Sequence, residues 1–142
     1  MSTMQVELVA VERPVWSGQA TLVAARAAEG EIGIMPGHEP LLAVLQPGWI
    51  VRIAPESGSE LRFAVHGGFI SVRDGAVSVL AEGAEAAQEL DEATARADLA
   101  AAEAQIQAAG AQGSADAYEA RDRALAQLRA LDVSVPGGSA GI

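Results

Sequence analysis

The chain has 142 residues, half of them hydrophobic, a formal net charge of −10 and no cysteine; it has room for one domain or a small domain with an appendage, and a disulfide framework and thiol chemistry are excluded. All nine basic residues are arginines, so a Walker A loop and Schiff-base chemistry lack their lysine, and so acidic a chain is not expected to bind nucleic acid. The N-terminus has neither a basic start nor an apolar signal core, and no apolar run approaches the roughly 18 residues of a membrane span, so any membrane association is expected only through partners.

From Met4 to Val11 apolar and other residues alternate, with Met4, Val6, Leu8 and Ala10 in phase, which predicts a strand with one buried face. Pro14 and Gly18 are expected to bracket a turn, and Thr21 to Ala27 reads as a second strand. The stretch from Gly30 to Leu42 is read as a shaped loop: Gly33 and Gly37 permit unusual backbone angles, Pro36 and Pro40 fix φ, and Glu31, His38 and Glu39 stand on a stiff turn. Leu41 to Leu45 is expected to be a buried strand ending at Pro47-Gly48.

Two hairpins follow. With Pro55 to Ser59 as a loop, Ile53 faces Leu61, Val51 faces Phe63 and Trp49 faces Val65, while Arg52 lies opposite Arg62 and calls for a nearby carboxylate. Asp74-Gly75 predicts a two-residue turn that pairs Val72 with Val77, Ile70 with Val79 and Ser71 with Ser78. Gly67-Gly68 marks a bulge or a close backbone approach. Short strands with turns at this spacing indicate an antiparallel sandwich or barrel.

After Glu82 the composition changes. Between Asp91 and Leu131, 16 of 41 residues are alanine and there is no proline, which predicts a helix, a break at Gly110–Ser114 and a second helix, with Asp91, Glu92, Ser114 and Asp116 suited to the helix starts. Leu99, Ala102, Ile106 and Ala109 form one stripe and Tyr118, Ala124, Leu125 and Leu128 the other, so the helices can pack as an antiparallel hairpin. With few large side chains to dock it, that hairpin is expected to be weakly held. The fold class is therefore α+β, with a β-sandwich over 1–85, a two-helix hairpin over 86–132 and an unstructured tail over 133–142.

Chemistry of its own is not expected. His38-Glu39 and His66 match no zinc motif, no serine lies in a Gly-x-Ser-x-Gly context, and no cofactor site is indicated.

Four ordered motifs carry a resemblance. Gly30-Glu-Ile-Gly-Ile-Met-Pro-Gly-His-Glu-Pro-Leu-Leu42 resembles the signature of the epsilon subunits of bacterial rotary ATP synthases; Trp16-Ser17-Gly18 precedes it, and His66-Gly67-Gly68 and Leu90-Asp91-Glu92-Ala93 follow in the family's order. The resemblance implies a non-catalytic central-stalk subunit on the cytoplasmic face of the bacterial membrane. Its partners would be the gamma subunit, the c-ring and the alpha/beta catalytic head, and its helices would restrain ATP hydrolysis. It further implies a subunit contact through Glu31, Gly33, Pro36, Gly37 and His38, and a regulatory helix carrying Arg121, Arg123 and Arg129. The alternative is an ATP-sensing module, for which Asp91, Arg96 and Arg123 are the available residues; Thr94 and Gln127 stand where the ATP-binding members have arginines, which predicts weak or absent binding.

Overall fold

The computed structural model describes residues 2–110 and 114–135. Seven strands come first: β1 (Met4–Ala10), β2 (Pro14–Ala27), β3 (Gly30–Ile34), β4 (Leu41–Val44), β5 (Ile50–Pro55), β6 (Leu61–Arg73) and β7 (Ala76–Ala86). A 3₁₀ turn over Ala87–Glu89 leads to helices α1 (Glu92–Ala109) and α2 (Ala115–Ala130).

The alternation in β1 places Met4, Val6, Leu8 and Ala10 in the core. The turn expected between Pro14 and Gly18 lies earlier: Pro14 already pairs with Val9, and β2 runs unbroken through Gly18 to Ala27. Gly18 is there for packing, because a Cβ on it would sit 3.0 Å from the Trp16 ring. The great length of β2 lets it pair with β1 up to Ala20 and with β5 beyond it. β1 also pairs in parallel with β7, so β1, β7, β6, β5 and β2 close into a ring, a flattened barrel with no free edge along that circuit. The one parallel pair departs from the all-antiparallel expectation.

Both predicted hairpins keep their registers from Ile53–Leu61 to Val51–Phe63 and from Val72–Val77 to Ile70–Val79. Trp49 departs: β5 starts at Ile50, and Trp49 lies outside the ladder. Glu60 provides the carboxylate that Arg52 and Arg62 require, 3.3 Å from each. At Gly67-Gly68 the β6–β7 register does not slip. The close-approach reading holds instead, since a Cβ on Gly68 would stand 2.0 Å from the Leu80 carbonyl oxygen. β4 is not buried: Leu41 and Ala43 face inward, while Leu42 and Val44 are exposed.

Asp91 caps α1 by accepting from the Thr94 amide, and Ser114 caps α2 by accepting from the Ala117 amide. The predicted break contains residues 111–113, which lie outside the described residues. One face of α2, Ala124 and Leu128, packs on Ala95 and Leu99 of α1. The other, Ala126 and Ala130, packs on Ile50 and Ala64 of the sandwich. Ile106 is half-buried and Ala109 and Tyr118 are exposed, so the predicted stripes pack only in part. The tail expected to be unstructured from Val133 begins instead as packed chain: Val133 and Val135 join the α1–α2 core, and the Ser134 carbonyl accepts from Arg96. Residues 136–142 lie outside the described residues.

Candidate functional site

Two regions collect the polar and exposed apolar groups that the fold itself does not consume. The first surrounds β3. Glu31 is not on a loop; it stands on β3 opposite Arg26, whose guanidinium is 3.3 Å from its carboxylate, and half of its side chain is exposed. Gly33 lies in the same strand without a positive φ, and the freedom expected there is used at Gly30 and Gly37. The turn proper is Met35-Pro36-Gly37-His38, closed by the His38 amide donating to the Met35 carbonyl, with Gly37 at φ 89°. Proline then glycine at the two central positions is the type II signature. The His38 ring is 2.7 Å from the Glu39 carbonyl through Nδ1, which must therefore donate.

The structure thus separates two groups expected on one turn. Glu31 lies near the Ala27–Gly30 end of the β2–β3 pair and His38 beyond the Ile34 end of β3, with about 10 Å of extended strand between Glu31 and Ile34. Glu31 instead shares a groove of about 340 Å³ with residues 27–32 and 41–44. From Val44 an apolar row continues across neighbouring strands through Phe69 and Leu80 to Val9. Val44, Phe69 and Leu80 are each about half exposed, and Leu42 is 73% exposed. An apolar row on a sheet face is a feature of protein-binding surfaces. Leu41 to Leu45 is apolar at every position, so the sequence carries no alternation from which this exposed face could be read.

The second region is the seam between α2 and the sandwich. Arg129 is 92% buried. It donates to the Gly48 carbonyl and lies 3.8 Å from the Trp49 ring centroid. Arg62 reaches the other way, from sandwich to helix, donating to the Arg129 carbonyl at 3.3 Å and pairing with Asp132 at 3.6 Å. Asp132 takes a left-handed φ of 60°, and the amides of Asp132 and Val133 return to the carbonyls of Arg129 and Leu128, the geometry that ends a helix sharply. Burial first, and the charge of Arg26 second, push the Arg129 pKa down, while Asp122 opposes them; the guanidinium remains a cation.

Beside this latch, Gln127 donates to Glu85, and the His66 Nε2 lies 2.7 Å from the same carboxylate. That His66 hydrogen bond is the chief reason the Glu85 carboxyl is held below its ordinary value, against the opposing effect of burial. Arg123 lines a cleft of about 180 Å³ with His66, Glu82, Glu119 and Asp122, whereas Arg121 lies 5.1 Å from the Tyr118 ring. The three arginines grouped on the last helix therefore have different surroundings, and the burial of Arg129 was missed because helix charges are usually solvated.

Of the three residues considered for ATP, Asp91 and Arg96 are engaged elsewhere, while Arg123 lines the cleft beside His66. Asp91 is occupied by the Thr94 amide and hydroxyl, which hold its carboxyl below the usual range. Arg96 is held by Glu92 at 2.8 Å and by the Ser134 carbonyl. Thr94 and Gln127 serve here as partners of Asp91 and Glu85. Among the described residues no three histidine, aspartate or glutamate side chains cluster as metal ligands, and no helix is long and apolar enough to cross a membrane.

Residues 3–87 match the family model described as the ATP synthase, Delta/Epsilon chain, beta-sandwich domain. The chain belongs to that family. The ATP synthase epsilon chain of Nocardia farcinica is 62% identical over 82 residues, 58% of this chain and 63% of that one. The epsilon chain of Rhodococcus opacus is 56% identical over 85 residues, 60% and 70% of the two. The matched region thus spans about two thirds of these relatives. In overall fold the chain resembles one from the Euglena gracilis mitochondrial ATP synthase, in a structure of OSCP, F1 and c-ring: the TM-score is 0.75 at 23% identity, over 86% of this chain and 77% of that one. A chain from the Tetrahymena thermophila central stalk and c-ring gives 0.51 at 19% identity, over 68% and 72%. The delta/epsilon match ends at residue 87 and includes the Glu31 region and His66; the helices lie beyond it.

Proposed function

We propose that this chain is a non-catalytic central-stalk subunit of a rotary ATP synthase, joining the gamma subunit to the c-ring on the cytoplasmic face of a bacterial membrane and restraining ATP hydrolysis through its helical hairpin. The observation that carries this reading is the family match over the whole sandwich. The surfaces support it: a half-exposed carboxylate at Glu31 with Leu42 beside it suits polar loops of a ring, and the Val44–Phe69–Leu80 row suits a long-lived apolar contact with a shaft subunit. In this reading Glu31 and Gly33 meet the ring, while Pro36, Gly37 and His38 shape the surface beyond the other end of β3.

The hairpin reading rests on how the helices are held. Small alanines, the Arg129–Arg62 latch and the Gln127–Glu85 hydrogen bond fasten α2 to the sandwich, so release costs chiefly those contacts, and an alternative position of similar free energy can be selected by nucleotide or proton-motive force. Released, Arg121, Arg123 and Arg129 become available to acidic segments of the alpha/beta head. Recovery of tagged protein from solubilised membranes tests the assembly: gamma, alpha, beta and ring subunits are expected together, and their absence from a preparation containing folded tagged chain contradicts it. Deleting 91–142 should leave ATP synthesis intact and raise ATP hydrolysis by the purified complex; unchanged hydrolysis contradicts the restraint.

A further inference from the structure

We propose that Arg26, Trp49 and Arg129 form a coupling column through which the charge on Glu31 sets how firmly the helical hairpin is docked. The two regions described above meet at Trp49. Arg26 lies 4.4 Å from the Trp49 ring centroid and Arg129 3.8 Å from it. Arg26 is paired with Glu31, and Arg129 with the Gly48 carbonyl. An unbroken chain of charge and π contacts therefore runs from the exposed end of β3 to the last turn of α2.

The sign of the coupling follows from the charges. One aromatic ring attracts both guanidiniums, but the cations repel each other, and the charge of Arg26 disfavours the charged form of Arg129. Glu31 is the counter-charge that offsets Arg26. The groups facing Arg129 are otherwise Asp122, which favours its charge, and Gly48 and Trp49. If Glu31 is neutralised, or drawn to a cation supplied from outside, Arg26 keeps its charge and loses its partner. Its repulsion of Arg129 is then less offset, and its hold on the shared ring is less fixed. The docked hairpin loosens. Because coupling is reciprocal, hairpin release also frees Trp49 and Arg26 and changes the binding strength of Glu31 for that cation.

That a ring-subunit cation supplies the outside charge rests on the proposed function; the coupling itself belongs to the isolated chain and is tested there. Amide hydrogen exchange along α2, and the Trp49 indole resonance, are measured by NMR in the wild type, Glu31→Gln, Arg26→Gln and the double variant. Glu31→Gln should raise hairpin opening about two- to five-fold, the range for a partly exposed ion pair, while amides of β1 and β7 stay protected. In the Arg26→Gln background the same substitution should change nothing further. Glu31→Gln should also move the Trp49 indole resonance only where Arg26 is present. A silent Glu31→Gln, or an effect equally large without Arg26, overturns the proposal. Each effect is read against its own parent, so any disturbance by Arg26→Gln alone cancels. Failure of the ring contact in assembled complexes would leave these results unaffected.

Discussion

Arg129 is the residue on which docking of the hairpin most depends. It combines a charge-assisted hydrogen bond to Gly48 with a cation–π contact to Trp49, and truncation to alanine should weaken docking by about 2–4 kcal/mol. Hydrogen exchange should show α2 opening more readily while the barrel retains its protection. Glu85 adds a pH dependence. Its folded-state pKa is held below 4.5, so its contribution is fully present above that value and is lost as pH falls through the lower folded value. Tm should therefore decline below about pH 4.5, and Glu85→Gln should flatten that part of the profile. Gly68 bears on the barrel itself: Gly68→Ala sets a methyl against the Leu80 carbonyl oxygen and should cost at least about 3 kcal/mol, read as a lower midpoint in urea.

Elements differed in how much of them the sequence made legible, and the difference has a physical origin. The Asp74-Gly75 hairpin, the β5–β6 register and both helix starts were readable because each is fixed by residues within a dozen positions of one another. Asp74 and Gly75 take the positive φ values that a two-residue hairpin demands. The parallel β1–β7 pair was not readable, since it joins segments some seventy residues apart and leaves the alternation in β1 unchanged. Trp49 was paired with Val65 because it continues an apolar alternation; it lies outside the ladder, between two guanidiniums from distant elements. At the site, Glu31, His38 and Arg129 were visible as residues, but their relations were not: β3 separates the first two, and the seam buries the third. The engagements of Asp91 and Arg96 extend to ligand binding. Calorimetry on the isolated chain should find ATP affinity weaker than about 1 mM, and micromolar binding would show that those contacts yield to nucleotide.

At the scale of the whole molecule, a closed barrel carries an alanine-rich hairpin that is latched to it through the last turn of α2. The barrel carries the family match and the exposed surfaces at Glu31 and along Val44–Phe69–Leu80. Under the proposed function, this division would let a rotor part transmit torque through a rigid body and take regulation from a detachable one. The chain has no cysteine, so a single introduced thiol reports from one place. Glu29→Cys lies in the turn joining β2 to β3, and Ser57→Cys lies in the loop after β5, whose Pro55 pairs with Ala20 toward the other end of β2. Cross-linking from these two positions in the assembled, membrane-bound complex tests the central claim directly. Capture of the ring subunit from position 29 and not from position 57 is the predicted result. An intact complex in which position 29 captures no ring subunit, or in which position 57 captures it instead, would contradict the account.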